Sequence, residues 1–288
     1  MLTVRELNHT RLSYTKIAED VVTLCGALNL VIPAGSRLDK MRRVVLERGE
    51  NAVTLRDNPD FEIALESVRD LIQARVILSQ MGRGAEFPRL FRRLVRDAVL
   101  PQENLKDSWG RDTQCELFVA AICSVAGLPP KLSEPDITLR FAGTSWGVAV
   151  KRIKNEKNFR KRIKEGIEQI AHTGLPGVII ADVSMMLNRE NARIDAEVPD
   201  EVFRQAAQET QKRFLANYDS SFLEWTRGTK TRGIVFLDHH VRLHPEMGWV
   251  FTILGFQHNS SPHNQRRRNE FESFASKFST GCSLLCQS

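Results

Sequence analysis

Three residues carry the chemistry this sequence offers: Asp136 in Glu134-Pro135-Asp136-Ile137, Lys151 at the end of Gly147-Val148-Ala149-Val150-Lys151, and Glu116 in the segment before them. Hydrolysing a phosphodiester at neutral pH takes oxygen ligands that hold a divalent cation, a water activated by that cation, and a positive charge beside the developing negative one. Asp136 supplies an oxygen ligand and Lys151 the positive charge. Residue 149 shares a strand face with Lys151, because side chains alternate with period two, and a second carboxylate is expected there. It is alanine. The set reads as a metal-dependent phosphodiesterase site with one ligand missing.

Strands and helices must hold these residues in place, and the apolar spacing predicts both. Up to about residue 100 the spacing is helical, with Val21, Val22, Leu24 and Leu28 in one segment and Met41, Val44 and Val45 in the next. Asn58 before Pro59 marks a helix start, followed by Ile63, Val68, Ile72 and Val76. A basic helix with Arg89, Arg92, Arg93 and Arg96 is predicted from Phe87 to Leu100, stopped by Pro101. The polar stretch from Pro101 to Arg111 reads as a linker between a helical N-terminal region, 1–105, and a second domain, 106–288. In that domain the pattern predicts a helix over 113–127, strands over 135–141 and 146–153, and a helix over 157–173. A strand over 177–183, a long helix over 199–226 and strands over 232–238 and 248–256 follow. This is an α/β order, with Val178-Ile179-Ile180-Ala181 and Ile234-Val235-Phe236-Leu237 apolar enough for central strands.

Composition narrows the classes. The longest mainly apolar run, Leu117 to Leu128, is too short to span a bilayer, so no membrane partner is expected. The first residues lack a secretory apolar block, which predicts a cytoplasmic chain. Five irregularly spaced cysteines predict neither a disulfide framework nor a zinc ribbon. The net charge is +6, and its distribution says more than its total. Between Lys151 and Lys164 stand eight basic residues and one acid, Glu156. Arg152, Lys154, Lys157, Arg160, Lys161 and Lys164 are the candidate phosphate contacts, although a run of this kind also suits a solvated helix face. Only Phe159 is interleaved among them, whereas RNA recognition stacks bases on exposed aromatics, so DNA is the expected partner.

The order of helix glutamate, strand Pro135-Asp136, strand lysine and basic amphipathic helix resembles the PD-(D/E)xK nuclease superfamily over about residues 110–183. Gly147-Val148 before the lysine, Arg152 after it and Gln169-Ile170 on the next helix add to the likeness. The resemblance implies a restriction-endonuclease-like mixed sheet flanked by helices, preceded here by the helical region. It also implies a metal-dependent DNA endonuclease, as found in restriction and anti-phage systems, working as a homo-oligomer or beside a partner subunit. By the same likeness Asp136 and the acid at 149 would hold Mg²⁺ or Mn²⁺, and Glu116 would complete or orient the metal shell. Lys151 would position the water or stabilise the transition-state charge, and Gln169 would support substrate or water.

Alternatives stand beside each assignment. Thr113-Gln114-Cys115-Glu116 also fits a capping box, which would leave Glu116 at a helix start. Asp136 also fits a turn carboxylate after Pro135. Asp238-His239-His240, with His244, His258 and His263 downstream, offers a rival metal site, although adjacent strand histidines face opposite ways. For Ala149 three explanations are open: an inactivating substitution, a degenerate site kept for binding without hydrolysis, or a ligand displaced to Glu165, Glu168 or Asp182. The intact surroundings favour the first.

Overall fold

The computed structural model describes residues 10–11, 13–48, 61–100, 103, 108–188, 200–244, 248–260 and 263–287. One compact unit is built on Ile122–His240 and Thr252–Ser288, the other on Arg11–Ala121 with Val241–Phe251. The division falls inside a helix, between Ala121 and Ile122. Most of the polar segment that suggested a boundary at 105/106 lies outside the described residues, as does the Asn58-Pro59 helix start.

After the two-residue strand β1 (Thr10–Arg11), the helical unit contains α1 (Tyr14–Ala27), α2 (Arg37–Arg48), α3 (Phe61–Met81), α4 (Phe87–Leu94) and the first part of α5 (Trp109–Val125). Val68, Ile72 and Val76 are buried, as their spacing requires. Two expectations are corrected. The basic helix ends at Leu94 rather than Leu100: Arg37 takes two carbonyls that a helix reaching Leu100 would use, and Asp97 stands at a φ of +81°, outside the helical region. Arg37 donates to Leu94 O at 2.6 Å and Arg96 O at 2.8 Å, and Arg111 donates to Val99 O and to Ala98 O at 3.3 Å. The second correction concerns α5, which starts at Trp109. The Asp112 N–H reaches Ser108 O at 2.8 Å, so Thr113 to Glu116 lies inside the helix and is not its capping box.

The core of this unit contains charge. Asp70 accepts from Arg37 and, at 2.5 Å, from Arg111, and all three side chains are almost completely buried. Gln114 accepts from Arg37 at 2.7 Å and donates to Gln73 at 2.8 Å, which extends the network to α5. Burial pushes the Arg111 guanidinium down to about 9, and Asp70 and Glu66 oppose that fall, so it stays charged at neutral pH.

The sheet unit begins with the end of α5. It then runs through β2 (Lys131–Ser133), β3 (Asp136–Phe141), β4 (Thr144–Arg152), α6 (Glu156–Thr173), β5 (Gly177–Asp182), α7 (Ser184–Asn188) and α8 (Asp200–Thr226). Next come β6 (Thr231–His244) as far as His240, β7 (Gly248–Asn259) from Thr252 onward, and α9 (Gln265–Gln287). The strands lie in the order β1-β7-β6-β5-β4-β3-β2. β2, β3 and β4 form an antiparallel meander, α6 crosses over, and β5 and β6 continue parallel to β4, so this is an α/β fold with a mixed sheet. Every residue of β5 is buried, as expected of a strand covered on both faces. One face carries Ala149, Ile179, Ala181, Ile234 and Phe236 against Phe159, Ile163 and Ile170 of α6 and Phe214 and Phe222 of α8. α9, a helix absent from the predicted elements, buries Phe271, Phe274, Phe278, Cys282 and Leu285. Among the described residues no helix is long and apolar enough to cross a membrane, and Cys25, Cys115, Cys123 and Cys282 are free thiols.

Candidate functional site

Asp136 opens β3, and Ile137 beside it pairs with Val148 of β4, which brings the aspartate over the Ala149–Lys151 stretch. Gly147 makes that approach possible. A Cβ there would stand 2.9 Å from Pro135 Cγ, so only glycine lets the Pro135-Asp136 corner lie down on β4. Asp136 Oδ2 accepts the Val150 N–H at 2.7 Å and faces Lys151 Nζ at 3.5 Å. Gln169 reaches over from α6, its Oε1 accepting from Lys151 Nζ. Three elements therefore converge on one lysine, whose side chain is only 6% exposed.

Burial raises the Asp136 carboxyl above the usual aspartate value, and the Glu134 charge adds to the rise. Lys151 and the Val150 N–H oppose it. Between the usual value and the raised one the folded chain holds this proton and the unfolded chain does not. The contribution of Asp136 to stability therefore falls as pH rises through its folded pKa. A carboxyl-detected NMR titration is expected to show Asp136 titrating above ordinary aspartates, and higher again in Lys151→Met. A midpoint unmoved by that substitution would remove the lysine from the site.

The structure brings Asp136, Ala149, Lys151 and Gln169 together within the sheet unit. Glu116 sits half-buried on the part of α5 that belongs to the helical unit. Ala149 is completely buried in the apolar cluster beneath α6, beside its β5 partner Ile179. Of the displaced candidates, Asp182 is tied to Ser184, whose N–H and hydroxyl donate to it at 3.0 and 2.7 Å, and Glu168 is exposed. Glu165 lies next to Gly166, which packs on Ile179 at the level of Ala149, and one turn before Gln169. Its carboxylate pairs with Arg162 at 2.9 Å.

A hard divalent cation wants several fixed oxygens in near-octahedral geometry. Asp136 Oδ1 takes no hydrogen bond among the described residues and can serve as one, but Ala149 has none to add. Among the described residues no group of three or more His, Cys, Asp and Glu is arranged to hold a metal ion. As arranged, the donor set does not fit Mg²⁺ or Mn²⁺. The histidine rival also dissolves. His239 turns to Ser184 and Asp182 while His240 turns to Asp238, the opposed facing that adjacent strand residues impose.

The basic run divides between two environments. Lys157, Arg160 and Lys161 are exposed on α6, with Lys154 and Lys164 half-exposed, whereas Arg152 is buried beside Met185. Phe159, the one interleaved aromatic, is a core residue. The aromatic that sequence reasoning missed is Trp225 of α8, with Arg160 Cζ 5.8 Å and Lys164 Nζ 6.0 Å from its ring centroid. The recurrence of Phe214, Tyr218, Phe222 and Trp225 at helical spacing was the available signal. No family model, no curated protein and no solved structure matches this chain.

Proposed function

We propose that the sheet unit is a DNA-binding domain of the PD-(D/E)xK nuclease type, whose phosphodiester site has its strand aspartate, lysine and supporting glutamine and lacks its second carboxylate at Ala149. The carrying observation is the convergence of Asp136, Lys151 and Gln169 from β3, β4 and α6. A lysine buried at this depth is costly unless paired, and a buried pair of this kind, with the Asp136 carboxyl shifted upward by burial, is the arrangement that gathers at functional sites. In this reading Asp136 and Gln169 hold the Lys151 ammonium toward a phosphate oxygen, and the exposed α6 cations take the flanking phosphates. With one fixed carboxylate the chain binds DNA and does not hydrolyse it.

Anisotropy of a labelled duplex titrated across salt concentrations tests the binding half. Lys157→Glu/Arg160→Glu/Lys161→Glu is expected to weaken binding and flatten the slope of log K against log salt by about 0.9 for each phosphate that the variant no longer neutralises. An unchanged slope reduces α6 to a solvated face and removes the reading. A second reading rests on Glu165, which stands level with Ala149 on the α6 stripe that delivers Gln169. On exchanging Arg162 for a cation it would supply the missing carboxylate. Metal-dependent cleavage by the chain as it stands, abolished in Glu165→Gln, selects that reading.

A further inference from the structure

We infer that the helical unit carries a second nucleic-acid-binding surface, made by the arginine face of α4 and the exposed indole of Trp109, and that it takes a strand with unpaired bases. The inference rests on the proposed DNA reading but on none of the residues of that site. α4 divides cleanly: Phe87, Leu90, Phe91 and Leu94 are buried, while Arg89, Arg92 and Arg93 are exposed, with Arg83 before them and Arg96 after. Between Arg83 and Arg96 stand five arginines and one acid, Glu86, whose exposed pairing with Arg89 at 3.4 Å contributes little. Among the described residues Arg92, Arg93 and Arg96 form no ion pair.

The charge arithmetic gives this face weight. Outside the segments Arg83–Arg96 and Lys151–Lys164 the chain has more acids than bases, so its whole positive excess lies in those two stretches. In each stretch the exposed cations lie mainly on one helix, α4 in the helical unit and α6 in the sheet unit. The aromatic comes from α5. Gly110 presses the first turn of that helix onto the end of α4, where a Cβ would stand 2.7 Å from Arg93 O and 2.9 Å from Arg96 O. The neighbouring residue, Trp109, is 70% exposed, although an indole would ordinarily be covered. Arginines that follow a phosphate backbone beside an aromatic that stacks a base are the means by which proteins hold single strands. Duplex DNA keeps its bases stacked on one another and has none to offer.

The test uses the full chain, anisotropy with a labelled single strand and a labelled duplex, and Trp fluorescence. Arg89→Gln/Arg92→Gln/Arg93→Gln touches exposed side chains only, and circular dichroism is expected to report an unchanged fold. It should lower the salt slope on single strands by about 2. Trp109→Ala should weaken single-strand binding about ten-fold at constant slope, leave duplex binding unchanged, and remove the strand-induced fluorescence quench. Wild-type slope in the arginine variant together with full quenching in Trp109→Ala would overturn the surface while leaving the α6 reading intact. A chain that binds neither DNA at low salt fails both readings. Capture by phosphatidylglycerol vesicles, abolished in the arginine variant, would instead assign the face to an anionic membrane and overturn the inference.

Discussion

Asp70→Ala is expected to cost the helical unit about 3–5 kcal/mol, the penalty for leaving buried charges without their partner. Arg37 and Arg111 both direct a guanidinium at Asp70 Oδ2, and Arg69 lies 3.5 Å from Oδ1. Removing the carboxylate leaves the buried Arg37 and Arg111 without the anion they share, in a region with almost no access to water. Arg111 already loses much of its preference for the charged form through burial. Against a typical total stability of about 5–15 kcal/mol, this loss would remove a large share of what keeps the unit folded. Urea denaturation followed by circular dichroism checks it. Asp70→Asn, which keeps the acceptor and loses the charge, should fall between the alanine variant and the parent. A parent-like midpoint for the alanine variant would show that the network contributes no net stability.

Ala149→Glu is expected to turn a binding site into a cutting one. Nicking of supercoiled plasmid with Mg²⁺ or Mn²⁺ should rise about 10²–10⁴-fold over the parent, the factor that several kcal/mol of charge stabilisation corresponds to. Asp136→Asn or Lys151→Ala in that background should abolish it. The new carboxylate enters a fully buried apolar cluster, where an unpaired charge is costly. Mg²⁺ should therefore raise the melting temperature of Ala149→Glu and leave that of the parent unchanged. Ala149→Asp, shorter by one methylene, provides a second variant if the glutamate folds poorly. If neither variant cuts and neither gains a Mg²⁺-dependent melting shift, the incomplete-site reading falls.

The stretch from β3 to β5 was legible because its residues report locally. Period-two alternation places Asp136 and Lys151, continuous apolar runs mark β5 and the centre of β6, and Asn155 and Gly174 bracket α6. α9 carries an equally periodic phenylalanine stripe, Phe271, Phe274 and Phe278. The early end of α4 and the true start of α5 were hidden for a different reason. The backbone carbonyls there are satisfied by Arg37 and Arg111, residues 57 and 12 positions away in the cases of Leu94 and Val99. No local pattern reports such a partner.

What the sequence determined by itself is the inventory and its order: an aspartate, a lysine and a glutamine on consecutive elements of an α/β unit, two concentrations of positive charge, and an alanine where a ligand is expected. Those follow from residue type and period. Only the tertiary structure decided which charges face water and which face each other. It buried Arg152 and Phe159, exposed Trp109 at the end of an arginine row, set Trp225 against Arg160 and Lys164, and closed Arg37, Asp70 and Arg111 into one network. The physical reason is that burial and pairing are properties of where chain segments meet, and they depend on side chains tens of residues apart in the sequence.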